Sequence, residues 1–330
     1  MPPRALVEPL VARRHVGHAA TRWPWREPGA RTRRRTATKA TQQWPPRYTF
    51  EVPLRASDAS VARMLNAGKF GAAVYTDLPE QHRYPRAVPA PVAGAGLPSV
   101  CAVAACRWGG YNGFKGTSTA GEITAVPGGD LEQRLRGTAL NERARAWLLV
   151  SGDAVLWKNP NPKPPSLRDL MSLAGDVRSS LDDPPDVWVA YNPLADDAAA
   201  EAAHLSAKAD WGGRLAVLQP PSLLPDRAAA AFEALDATAR ALPKLVGIAA
   251  PSTAKRFALW LKLCRVTDDG GAVARWEAAE AAGDARFAAF RRAFLAQAFA
   301  DAASVPGAVG FHVMPWDTAG SADVAGVLGL

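Results

Sequence analysis

From Trp44-Pro45-Pro46 onward the chain keeps repeating one pattern: a short apolar run, a polar turn, then an Ala-rich segment. Runs of this kind are strands buried on both faces, and the segments between them are long enough for helical crossovers. The alternation therefore excludes an all-β sandwich and selects an α/β fold. Strands are expected at Tyr48–Val52, Gly71–Thr76, Ser99–Ala105, Trp147–Ser151, Asp186–Tyr191, Arg214–Leu218, Lys244–Ala249 and Ala308–Met314. Helices are expected at Asp58–Ala67, Asp130–Arg145, Ser166–Ser180, Asp196–Ala209, Asp226–Leu242, Ser252–Leu263 and Arg275–Ala303, with Ala319–Leu330 left for a short last one. Pro79–Pro98 is too rich in proline for a helix. A doubly wound sheet fits the alternation equally well. The strand count and a body of about 270 residues favour a closed barrel, and no GxGxxG opens the first helix. The expected fold is a single (β/α)8 TIM barrel over residues 47–330, preceded by a disordered basic leader at 1–46.

The formal net charge of +8 suggests nucleic acid until it is localised. Residues 1–47 carry 11 of the 39 Lys and Arg and 2 of the 31 Asp and Glu, leaving 28 basic and 29 acidic residues for the body. The body has no basic excess with which to track phosphates, so no nucleic-acid partner is expected. The leader is Arg-rich, with Arg33-Arg34-Arg35 near its end, and reads as an organelle transit peptide although it contains no Ser. A basic tail or a mis-set start codon is the plain alternative. The first reading sends the protein to a mitochondrion or plastid; the second leaves it cytoplasmic. No apolar run is long enough to span a bilayer. Cys101, Cys106 and Cys264 are scattered without a CxxC pair, which argues for a reducing compartment with no disulfide framework and no zinc site.

A barrel collects its functional groups at the C-terminal ends of its strands. In Tyr48-Thr49-Phe50-Glu51-Val52 the alternation puts Thr49 and Glu51 on one face and Phe50 and Val52 on the other. If Phe50 and Val52 pack under helices, Glu51 points into the barrel mouth. A carboxylate within an otherwise apolar strand is costly without a purpose, and one so placed can act as a general acid. Asp153, after the fourth strand, is either a turn cap or an active-site residue. Arg107, Ser252 and Asp317 also follow strands and are read as ordinary wet loop residues. His312 is read as a hydrogen-bonding residue of the barrel interior and His204 as a helix-surface residue. The Gly-rich stretch Trp108–Gly129 is read as a surface loop, or alternatively a lid; its Gly113-Phe114-Lys115 does not fit a phosphate loop.

Taken in order, Phe50-Glu51-Val52-Pro53, Val74-Tyr75-Thr76-Asp77, Leu149-Val150-Ser151-Gly152-Asp153, Leu218-Gln219-Pro220-Pro221 and Gly310-Phe311-His312-Val313-Met314 resemble the strand ends of the methylenetetrahydrofolate reductase family. The resemblance spans Tyr48–Trp316 and implies a flavoprotein oxidoreductase of one-carbon metabolism and methionine biosynthesis. FAD would be reduced by NADH or NADPH, and the hydride would pass to 5,10-methylenetetrahydrofolate to give 5-methyltetrahydrofolate. On that resemblance Glu51 is the catalytic acid and Asp153 the flavin-tuning carboxylate. Thr76, Asn192 and Lys208 fall on the flavin side, and Gln219 contacts the folate. Val103 stands where many members carry a flavin-contacting histidine. Two alternatives stand beside this one: a non-reductase folate or one-carbon enzyme on the same barrel, and a flavin-free pseudoenzyme. The expected partner is a small-molecule folate, with no metal, and a homo-oligomer is left open.

Overall fold

In the computed structural model, described at residues 44–52, 58–66, 69–76, 94–105, 128–140, 143–151, 166–268, 271–315 and 317–329, eight parallel strands close into a barrel in sequence order. They are β1 (Tyr48–Glu51), β2 (Ala72–Tyr75), β3 (Ser99–Ala104), β4 (Ala144–Val150), β5 (Asp186–Tyr191), β6 (Leu215–Leu218), β7 (Lys244–Ala250) and β8 (Ala308–Pro315). The barrel closes where β1 pairs with β8, Thr49 opposite His312. Helices alternate with the strands: α1 (Asp58–Asn66), α2 (Gly128–Leu140), α3 (Leu167–Ser179), α4 (Ala198–Asp210), α5 (Pro225–Glu233), α6 (Ala237–Ala241), α7 (Ala254–Leu263), α8 (Ala272–Ala281), α9 (Asp284–Ala302) and α10 (Thr318–Leu328). The expected (β/α)8 barrel is thus present. None of these helices is long and apolar enough to cross a membrane.

The alternation within each strand sorts two cores. Ala72, Val74, Val100, Ala102, Ala146, Leu148, Trp188, Leu215, Val217 and Leu245 fill the barrel interior. Phe50, Val52, Cys101, Val103, Trp147, Val189, Tyr191, Val246 and Val313 face outward and pack with the helices. Val103 therefore points away from the barrel axis, the wrong direction for a group meant to touch a ligand in the mouth. At the N-terminal end of the barrel Trp44 stacks on Trp188 at 5.3 Å, donates its indole N–H to Asp186 at 2.6 Å and lies under the Arg145 guanidinium. The barrel unit, Gln42–Leu330 by its contacts, thus includes Trp44–Pro46, which were expected in the leader. Residues 1–43 lie outside the described residues.

Three helix expectations are corrected. The helix expected to reach Arg145 stops at Leu140, because Arg143 adopts a left-handed conformation (φ 50°) and β4 starts at Ala144. The expected Asp226–Leu242 helix is two helices. Asp236 breaks it by capping α6, accepting the Ala239 N–H at 2.8 Å. The expected Arg275–Ala303 helix breaks at Gly283 (φ 96°) and begins earlier, at Ala272, where Asp268 accepts the Ala272 and Val273 N–H groups. Ser166 caps α3 as expected, in a reciprocal box with Asp169.

The β7–β8 connection therefore contains three helices instead of the expected two. α9 packs on β7 and β8 as the ordinary barrel helix, while α7 and α8 form an extra hairpin. The hairpin has its own core around Trp276, whose ring stacks on Phe257 at 4.8 Å and meets Phe287, Phe290 and Phe294 edge-on. A cavity of about 260 Å³ lies beside this cluster, between α8, α9 and the turn at Pro221–Leu223.

Candidate active site at the barrel mouth

β1 and β8 lie side by side, so their inward side chains meet at the same level. Thr49 is fully buried, and its Oγ1 stands 3.0 Å from Nδ1 of His312. His312 is 2% exposed, and its other ring nitrogen, Nε2, lies 3.7 Å from a carboxylate oxygen of Glu51. One pleat further up β1, Glu51 keeps 29% of its side chain exposed. The three groups form a chain running from the sealed interior to the opening: hydroxyl, imidazole, carboxylate. Glu51 points into the mouth as expected, and its neighbours Phe50 and Val52 pack outward. The interior role expected of His312 is also observed. Sequence reasoning missed that His312 faces Glu51 and that Thr49 holds its far side. The signal was available: in a closed barrel the first strand must pair with the last, which brings Thr49 beside His312.

The strand beside His312 carries a glycine that packing requires. His312 pairs with Gly247 of β7, where a β-carbon would overlap the Leu218 carbonyl and the Met314 methyl. Only glycine lets β6 and β8 approach β7 this closely.

Across the mouth, the ends of β5 and β6 are tied to the α7–α8 hairpin. Asn192 donates its side-chain N–H to the Cys264 carbonyl at 2.9 Å, and its Oδ1 accepts the Leu194 N–H at 3.1 Å. Gln219 accepts the Cys264 thiol at 3.6 Å. Both strand ends thus converge on residue 264, the C-cap of α7, so the hairpin lies over that side of the barrel. Burial pushes the Cys264 thiol up to about 12, which keeps it protonated and inert.

Lys208 turns inward from α4. Its ammonium donates to the Ala190 carbonyl at 2.8 Å and reaches Glu201 at 3.5 Å, while Glu201 also accepts the Asn192 backbone N–H. Burial lowers the Lys208 pKa, opposed by the Glu201 carboxylate. The alternation puts Thr76 on the inward side after Val74, half-buried. The Lys208 ammonium is engaged below a strand end, and both polar atoms of the Asn192 side chain serve the local fold. Among the described residues, the side chains of Lys208 and Asn192 are thus engaged within the fold itself. Asp153, Asp77, Arg107, Trp316 and residues 108–127 lie outside the described residues, so the expected roles of Asp153 and of the Gly-rich loop do as well.

The loops after β7 and β8 often hold phosphate in barrels of this kind. Here Asp317 fills that place. It caps α10 by accepting the Gly320 N–H at 2.9 Å and receives the Ser252 hydroxyl. Arg291 of α9 binds Asp323 of α10 at 2.6 Å and stands within 3.5 Å of the Ser252 carbonyl. Ser252 and Asp317 build the loops that hold them, although Ser252 is buried rather than wet. His204 lies on a helix surface and is paired with Glu201 at 3.7 Å. No group of three or more His, Cys, Asp or Glu with metal-binding geometry occurs among the described residues.

No family model matches the sequence, and no curated protein matches it. Solved structures similar to the chain include the dihydropteroate synthase of Thermus thermophilus, at 17% identity and a TM-score of 0.40, covering 86% of this chain and 92% of that one. A Plasmodium falciparum HPPK-DHPS variant with pteroate gives 7% identity and a TM-score of 0.35, over 86% of this chain and 48% of that one. The expected membership of the methylenetetrahydrofolate reductase family is corrected: neither a family model nor a curated protein of that family matches the sequence. The resemblance rested on short strand-end runs, and such runs recur wherever parallel strands deliver polar residues to a barrel mouth.

Proposed function

We propose that this chain is a non-reductase enzyme that transfers protons at the C-terminal mouth of its barrel, on a folate-type substrate. The observation that carries the proposal is the contact between Glu51 and His312 at 3.7 Å, with the imidazole sealed inside and the carboxylate at the opening. A carboxylate backed by an imidazole can take up and return a proton without leaving its place. It is also a strong acceptor for the paired N–H groups on the aminopyrimidinone edge of a pterin. Gln219, anchored on the opposite side of the mouth, supplies an amide for the remaining polar atoms of such a ring. No step in this chemistry calls for a hydride or a flavin.

Pteroate is the probe. Titrating it into the purified full chain by calorimetry should give saturable binding that Glu51→Gln weakens at least tenfold. A folded chain that ignores pteroate, dihydropteroate and tetrahydrofolate at millimolar concentration would overturn the substrate assignment.

A further inference from the structure

We infer that Thr49 is a positioning residue that sets the tautomer of His312, so that the imidazole presents an N–H to Glu51. This rests on the proposed role of the Glu51–His312 pair. A hydroxyl has one proton to give. Around Thr49 Oγ1 stand His312 Nδ1 at 3.0 Å, an acceptor when it carries no hydrogen, and the Phe311 carbonyl at 3.5 Å. Hydroxyl hydrogen bonds cluster near ~2.7–2.8 Å and weaken quickly with distance, so the closer nitrogen takes the proton. The Thr49 side chain is fully buried, so water does not compete for it.

With Nδ1 an acceptor, the ring proton of neutral His312 sits on Nε2, which is the nitrogen facing Glu51. His312 then turns an N–H toward the Glu51 carboxylate 3.7 Å away, an electrostatic contact that orients it. When the pair takes a proton from a substrate, that proton goes to the Glu51 oxygen, since Nδ1 is occupied and Nε2 already carries hydrogen. No other bond changes. Glu51 is the group in contact with the mouth, and Thr49 acts on it only through the ring. The opposite arrangement would have Nδ1–H donate to Thr49 while the hydroxyl turns to Phe311. It would leave Nε2 as a bare acceptor facing a carboxylate, two acceptors with no proton between them.

Nitrogen-15 NMR of the full chain, with imidazole-labelled histidine, reads the tautomer directly, and His312→Gln identifies the signal. The wild type should show His312 with hydrogen on Nε2. Thr49→Val, which keeps the shape and removes the hydroxyl, should lose most of that population, and Thr49→Ser should restore it. A wild-type His312 with hydrogen on Nδ1, or a Thr49→Val spectrum unchanged from wild type, would overturn the inference. The readout requires no substrate. If pteroate fails to bind while the tautomer behaves as expected, it is the substrate assignment that falls and the positioning role that stands.

Discussion

His312 and Glu51 meet across the seam where the barrel closes, the imidazole on the last strand and the carboxylate on the first, 3.7 Å apart. Neither strand alone contains the pair. Thr49, on the same strand as Glu51, holds the far side of the ring.

Replacing either member should affect ligand binding unequally. A hydrogen bond to a charged group contributes about 1.5–3 kcal/mol, which is roughly ten- to a hundredfold in Kd. Glu51→Gln removes the charge that meets the ligand and should show that full loss for pteroate. His312→Gln should show a smaller one, because it only orients the carboxylate. In the double variant the losses should fall short of additive, as expected for residues in contact. Calorimetric titration of the three variants checks this; strictly additive losses would mean that the two residues act separately.

Lys244, fully buried at the start of β7, donates to the carbonyls of Ala239 at 2.5 Å, Leu242 at 2.8 Å and Arg240 at 3.2 Å, closing the end of α6. Burial, with the Arg240 charge nearby, lowers its pKa from 10.5 to about 8. Between those values the unfolded chain binds the proton and the folded chain does not, so stability rises with pH across that window. Lys244→Met should lose this rise while leaving three carbonyls without a donor. Urea midpoints of wild type and variant at pH 7 and pH 10 test it: their difference should widen at the higher pH, and a constant difference would refute it.

Asp317 caps α10 and receives the Ser252 hydroxyl, tying the loop after β7 to the loop after β8. Asp317→Ala should cost about 1 kcal/mol, the usual worth of an N-cap, and Asp317→Asn should recover most of it. Equilibrium urea unfolding measures both. An alanine variant as stable as wild type would show that the cap is redundant.

The Cys264 thiol, raised to about 12 by burial, should resist alkylation by iodoacetamide at pH 8 in the folded protein and react readily in urea. Peptide mapping by mass spectrometry distinguishes it from Cys101 and Cys106. Rapid modification in the native state would mean that the α7–α8 hairpin opens and frees the ends of β5 and β6.

Much of this protein was legible in its residues alone. Strand β5 appears over the expected residues, and the inward direction of Glu51 follows from the two-residue period of β1, since Phe50 and Val52 must pack outward. Local pattern sufficed there because strand faces are set by nearest neighbours in the chain. It failed where a cap or a left-handed residue interrupts a helical run, as at Asp236, Gly283 and Arg143. A run of alanines carries no mark of where it stops. The direction of Lys208 was not legible either. The family resemblance put it on the flavin side, yet its ammonium turns back to Ala190 and Glu201.

What the sequence determined by itself is an α/β fold of eight doubly buried strands joined by helical crossovers, whose strand count and length favour the barrel over an open sheet. What only the tertiary structure decided is the site. Glu51 and His312 are separated by most of the chain and become neighbours only because closure brings the first strand against the last. The hairpin that anchors Asn192 and Gln219 through Cys264 comes from the connection after β7. Contacts of this range depend on how the barrel closes, and no local period in the chain encodes them.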